Sequence, residues 1–161
     1  MIAFGKITDG ASHAPFLIEI AEHESNELKI VVALAACGEI EAESNNTGSK
    51  QVDSLLRTCV SINADTDNRY EIVFENYVFY MIRNESFAQM WGEDEIVEGD
   101  YFVLFENSIL LDFLPHIAEV EIIKACYQQG CHHYGIICQN HFIDVIATSE
   151  PRIRLLFASQ A

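Results

Sequence analysis

Between Tyr70 and Arg83 the chain reads YEIVFENYVFYMIR. Aromatic and β-branched residues dominate this stretch, and such side chains pack best on a pleated backbone. The run falters at Glu75-Asn76. One long strand with a bulge fits there, and so does a hairpin; with no glycine after the asparagine, both readings stay open. A segment this apolar must bury at least one face, so the chain needs a sheet with another layer packed on it.

Other segments add to this frame. Residues 2–8 read as a short strand, and Ala14–Ala21 as a second. Alternation in the second puts Phe16, Ile18 and Ile20 on one face and Leu17 and Glu19 on the other. Leu28, Val31, Val32 and Ala35 recur at helical spacing behind Ser25, a good N-cap, so a helix is expected over 26–37. Strand is its rival, because Ile30, Val31 and Val32 are consecutive. Ser44–Lys50 reads as a polar loop, 52–63 as extended and 65–68 as a turn. Ala118–Gln129 fits a helix closed by Gly130, and 153–157 fits a terminal strand after Pro151.

A diffuse repeat links YEIVFEN (70–76), YFVLFEN (101–107) and YGIICQN (134–140). Asp112 and Asp144 follow the last two at matching places. Each unit suggests a strand ending in an asparagine that caps a short helix, two such units sharing one mixed sheet. At 161 residues, half of them apolar or aromatic, the chain suits one domain with its own core. The expected fold is therefore a single α+β domain over 1–161, with an antiparallel-rich mixed sheet and two to four helices.

Charge narrows the partners. Twenty-five acids face nine bases, for a net charge of −16. Nucleic-acid phosphates and anionic membrane surfaces repel such a chain, whereas a cationic partner is attracted to it. No Lys or Arg occurs from Asn84 to Ile123, a span with ten acids. Within it, Trp91, Glu93, Asp94, Glu95, Glu98 and Asp100 form an aromatic anchor beside carboxylates, which suits a hot spot for a basic protein. The competing reading is a solvated acidic loop with Trp91 plugging the edge of the core.

No apolar run approaches the roughly 18 residues that span a bilayer. The start, MIAFGKITDG, lacks the basic and apolar regions of a signal peptide, so a cytoplasmic location is expected. Five cysteines, an odd number, fit reduced thiols, most of them expected as small buried residues.

Catalytic motifs are wanting. Cys131, His133, Cys138 and His141 supply zinc-ligand types, but no CxxC or HxxxH spacing joins them. On a strand over 133–138, Tyr134, Ile136 and Cys138 share one face and His133 points the other way. Core cysteines with surface or capping histidines is the competing reading. Cys138 or Cys131 could pair with His141 or His133 and be oriented by Asp144, yet no nucleophile elbow surrounds either thiol. Asp65-x-Asp67-Asn68 lacks the glycine and closing glutamate of a calcium loop. No phosphate-binding glycine pattern occurs. No cofactor, metal or catalytic residue is therefore assigned.

The segments YEIVFENYVFYMIRNESF (70–87) and HHYGIICQNHFIDVIATSEPRI (132–153) resemble stretches of small bacterial proteins of unassigned function. The profile as a whole, small and acidic with an aromatic-rich β core, is similar to immunity proteins of bacterial toxin systems, including contact-dependent growth inhibition. That resemblance implies an inhibitor that covers the active site of a basic, nuclease-like toxin domain. A small enzyme built on the Cys/His/Asp group at 131–144 is one alternative. A subunit of an oligomer, such as a homodimer associating through the 70–83 edge, is another.

Overall fold

The computed structural model describes residues 2–8, 11–23, 26–38, 47–56, 59–89, 95–127 and 130–157. Two sheets make up the fold. The first contains β1 (Phe16–His23), β2 (Glu27–Cys37), β3 (Ile62–Glu75) and β9 (Arg152–Leu156), in the order β1-β2-β3-β9. The second contains β4 (Tyr77–Asn84), β5 (Glu95–Glu98), β6 (Phe102–Asn107), β7 (His132–Ile137) and β8 (His141–Ala147), in the order β4-β8-β7-β6-β5. All pairings are antiparallel. Three short helices, α1 (Lys50–Leu56), α2 (Ile109–Phe113) and α3 (Val120–Cys126), complete an α+β domain. The class is the expected one, but two antiparallel sheets replace the single mixed sheet.

Alternation along the strands explains how the sheets meet. Leu28, Ile30 and Val32 of β2, with Ile72 and Phe74 of β3, turn to one side of the first sheet. They join Phe102, Tyr134, Ile136, Ile143 and Val145 of the second sheet in one buried cluster. Burying each large apolar side chain of this kind contributes about 1.5–3 kcal/mol. The opposite face of the second sheet is covered separately, by Leu110 and Leu114 packed on Ile146.

The stretch from Tyr70 to Arg83 is neither a bulged strand nor a hairpin. β3 pairs with β2 and β9, whereas β4 pairs with β8. The chain changes sheets at Asn76, which adopts a left-handed φ of 56°. Asparagine tolerates this region better than other non-glycine residues. Thr148 Oγ1 donates to the Asn76 carbonyl at 3.3 Å and Ser149 Oγ to that of Glu75 at 3.2 Å. These bonds tie the first crossing to the second, between β8 and β9.

Several local expectations fail for identifiable reasons. Residues 4–6 of the supposed first strand form a 3-10 turn, from which Phe4 reaches the inter-sheet core. The helix expected over 26–37 is β2, a central strand whose middle, residues 30–33, is buried on both faces, where β-branched residues are favoured over helical spacing. Ser25 lies outside the described residues. In β1 a register shift between Leu17 and Glu19 sends Leu17 and Ile20 to the core and leaves Ile18 exposed. The extended reading of 52–63 gives way to α1 up to Leu56, and only from Ile62 does a strand run. The 65–68 turn is a bulge within β3: Ala33 pairs with Arg69 and Ala35 with Ala64, leaving 65–68 opposite Leu34. Asp65 accepts from Asp67 N–H and Asn68 Nδ2 there. Helix α3 is shorter than 118–129, and Gly130 bonds back to Tyr127 O.

The repeat does not define equivalent units. Only YFVLFEN leads into a helix, and there Ser108, not Asn107, caps α2. Asp112 lies on α2 and Asp144 on β8. Of the five cysteines, all free, Cys138 is buried and Cys131 half-buried, while Cys37, Cys59 and Cys126 are exposed.

The crossing at Asn76 sets a test. Asn76→Val should lower unfolding free energy by about 1–2 kcal/mol, because a β-branched residue resists the left-handed region. Asn76→Gly should stay within about 0.5 kcal/mol of the parent. Urea denaturation followed by tryptophan fluorescence and far-UV circular dichroism distinguishes the two.

Candidate functional site

The largest buried polar group crosses the outer face of the second sheet. Arg83 on β4 places Nε and Nη2 at 3.0 and 2.9 Å from Asp144 Oδ2. Its Nη1 donates to Gln89 O. Asp144 Oδ1 lies 3.2 Å from His133 Nε2, and His133 Nδ1 lies 2.9 Å from Ser108 Oγ. Ser108 Oγ also accepts from Leu111 N–H as the N-cap of α2. An ionised carboxylate only accepts, so the tautomer with its proton on Nε2 lets Ser108 donate to Nδ1 and satisfies every member.

The residue types are those of a Ser–His–Asp triad, but the surroundings close it. His133 is 0% exposed and stacked under Phe105, ring centroids 4.3 Å apart. Gly135 makes that cover fit: a Cβ there would come within 2.9 Å of Phe105 Cε2 and 2.7 Å of Val103 Cγ2. Ser108 is 5% exposed and engaged by the helix it caps. The nearby cavity, between Arg83, Phe105 and Phe142, holds about 30 Å³, room for one water rather than a substrate. The relay anchors α2, β7, β8 and β4 to one another.

The Cys/His/Asp group at 131–144 is divided between faces. Cys138 belongs to the inter-sheet core with Tyr134 and Ile136, while Cys131 packs with Leu110 and Leu114 on the outer side. His133 and Asp144 sit in the relay, away from Cys138. His141 begins β8, and its carbonyl accepts from Cys138 N–H. Among the described residues no three His, Cys, Asp or Glu side chains come together as a metal site. Burial pushes the Cys138 thiol up to about 12, and raises that of Cys131.

Of the acidic run, Trp91, Glu93 and Asp94 lie outside the described residues, as does the Glu95 side chain. Glu98 and Asp100 are described. β5 is an edge strand carrying exposed Ile96 and Val97. Glu98 pairs with Leu104, and Leu104 with Tyr134, so the three form one cross-strand row on the inner face. A cleft of about 570 Å³ opens over this row. Ile2, Phe4, Gly5, His132, Glu150 and Pro151 also line it. A Cβ on Gly5 would come within 2.5 Å of Glu98 Cγ, so the missing side chain leaves the space in which Glu98 lies. Tyr134 lines the cleft although it is only 2% exposed, and no described residue hydrogen-bonds its hydroxyl. Burial, and then the charge of Glu150, push that phenol up to about 12.

Charge is unevenly compensated. On the outer face of the first sheet Lys29 meets Glu19, Arg152 meets Glu27 and Glu75, and Arg154 meets Glu71. Around the second sheet, Arg83 is committed to Asp144 and Lys124 to Glu121. Glu98, Asp100, Glu106, Asp112 and Glu150 form no ion pair with a described residue. Of the residues lining this cleft the acidic run contributed Glu98, whereas Phe4, Leu104, His132, Tyr134 and Glu150 were not among the expected contacts. Strand parity places His132 with Tyr134, yet nothing in the sequence shows which strands lie side by side. Comparison with protein-family models, curated proteins and solved structures finds no match to this chain.

Two outcomes follow from the buried groups. Asp144→Ala strands Arg83 and His133 without their acceptor and should cost about 3–5 kcal/mol; Ser108→Ala, which loses a cap, should cost about 1 kcal/mol. Urea titration at neutral pH measures both. Cys138 and Tyr134 hold their protons in the folded state up to about 12, whereas in the unfolded chain they titrate near 9.0 and 10.0. Between those values the native state binds more protons than the unfolded one. Stability is therefore fully present below pH 9 and falls toward pH 12, by up to about 1.4 kcal/mol per pH unit for each group. Urea midpoints from pH 8 to 11 should show the decline, and Cys138→Ala should make it shallower.

Proposed function

We propose that this chain is a binding protein that neutralises a basic partner, acting as an immunity protein that covers the active site of a bacterial toxin domain. The observation that carries this reading is a group of carboxylates around the second sheet that no described base neutralises. Lys29, Arg152 and Arg154 are spent in ion pairs on the first sheet, Arg83 in the relay and Lys124 on α3, while Glu98, Asp100, Glu106, Asp112 and Glu150 form no ion pair with a described residue. Opposite charge on a partner raises the association rate above the roughly 10⁵–10⁶ M⁻¹s⁻¹ of neutral surfaces. A nuclease-like domain, basic because it holds nucleic acid, is such a partner, and an acidic surface seated on it blocks access of phosphate. The relay, closed to substrates, supports a binding role over a catalytic one. No helix among the described residues is long and apolar enough to cross a membrane, and the proposed site of action is the cytoplasm.

The decisive experiment takes, from the reading frames beside this chain's own, a basic C-terminal domain of a secreted protein as the expected toxin. Expressed alone it should arrest growth, and co-expression of this chain should restore it. Arrest that persists despite a well-expressed chain overturns the immunity reading. Surface plasmon resonance adds the electrostatic test: Glu98→Lys with Asp100→Lys should slow association about tenfold at low salt, with the difference fading toward 1 M salt.

A further inference from the structure

We propose that the cleft over Glu98, Leu104 and Tyr134 is an arginine pocket, which seats one guanidinium-bearing side chain of the basic partner. This rests on the reading of the chain as a binder of basic proteins and names where and how it grips.

Three observations converge on this occupant. The first is space. At about 570 Å³ the cleft falls within the roughly 300–1,000 Å³ of ligand pockets, enough for a long side chain and the backbone that carries it. The second is a mixed lining. Phe4, Leu104 and Pro151 offer apolar surface to an aliphatic stem, while Glu98 and Glu150 bring two carboxylates without a described ion-pair partner. A purely apolar ligand would leave both carboxylates desolvated and unpaired, and an anion would be repelled. The third is Tyr134, a buried side chain with an unused hydroxyl at the cleft. Its phenol, pushed up to about 12, stays protonated at neutral pH and keeps an oxygen lone pair for an incoming N–H.

These groups favour arginine over lysine. A guanidinium presents five N–H donors in a planar fork and can engage more than one acceptor among Glu98, Glu150 and Tyr134. An ammonium is a compact, strongly hydrated charge with three donors, and gives up more hydration for the same contacts. Gly5 keeps the arrangement open, since a methyl group at this position would meet the Glu98 side chain.

The test titrates the ¹⁵N-labelled full chain with the peptide acetyl-Gly-Arg-Gly-amide at low ionic strength. The same peptide with citrulline, a neutral near-isostere, or with lysine provides the comparison. The arginine peptide should shift the amides of Gly5, Glu98, Leu104, Tyr134 and Glu150. Citrulline should produce no saturable shift, and lysine should bind several-fold more weakly. Glu98→Gln with Glu150→Gln should weaken arginine binding about tenfold. Gly5→Ala, which leaves the net charge untouched, should also weaken it, while Asp112→Asn on α2 should not. Equal binding of arginine and citrulline, or of arginine and lysine, overturns the assignment. Arginine binding that survives Glu98→Gln/Glu150→Gln and shifts amides elsewhere overturns the pocket but leaves the basic-partner reading standing. If even a hexa-arginine peptide fails to bind anywhere at low salt, both readings fall together.

Discussion

The packing of Phe4, Phe74 and Tyr134 is the contact on which the rest of this molecule depends. Phe4 meets Tyr134 edge-on at 5.1 Å and Phe102 at 5.4 Å, while Phe74 lies 5.3 Å from Tyr134. One ring comes from the N-terminal turn, one from the first sheet and two from the second. Offset and edge-to-face aromatic pairs gain about 0.5–1.5 kcal/mol beyond burial, so the cluster both closes the sandwich and pins the N-terminal turn to it. That turn is also one wall of the cleft. The cleft is thus walled by the aromatic core itself.

A second organising constraint is the separation of polar duties. One chain of buried polar groups lies on the outer face of the second sheet, where each member of Arg83–Asp144–His133–Ser108 has partners, while Thr8 and Thr148 are buried elsewhere. The inner face is apolar except where Glu98, Tyr134 and His132 border the cleft. A buried ionic chain of this kind adds little net stability over a well-packed apolar alternative, yet breaking it is costly. It therefore fixes the relative position of α2 and three strands. The charges on the first sheet are paired near solvent, where such pairs contribute up to about 1 kcal/mol each.

Much of this was legible in the residues and some was not. The strand character of 70–83 followed directly from its aromatic and β-branched content, and the opposition of His133 to Tyr134, Ile136 and Cys138 followed from strand parity. The misreadings have physical causes. A central strand such as β2, buried on both faces over residues 30–33, loses there the alternation that marks a strand, and chance spacing then imitates a helix. The turn at Asn76 was located correctly, but the partners of β3 and β4 depend on contacts distant in sequence. The cleft was invisible for the same reason: Glu98, Leu104 and Tyr134 are neighbours only through two strand registers, and Glu150 and Phe4 join them from opposite ends of the chain. Net charge pointed to a cationic partner without indicating which carboxylates were already neutralised.

The edge strand β5 carries a further consequence. Ile96 and Val97 are 48% and 58% exposed on a sheet margin, an arrangement that ordinarily invites pairing with a second copy. Here Glu98 ends the strand and Asp100 lies just beyond it, so two such margins brought together bring like charges near one another. Fibril-like stacking is penalised by the same carboxylates that would welcome a basic segment. Charge at this margin thus works against pairing with a second copy.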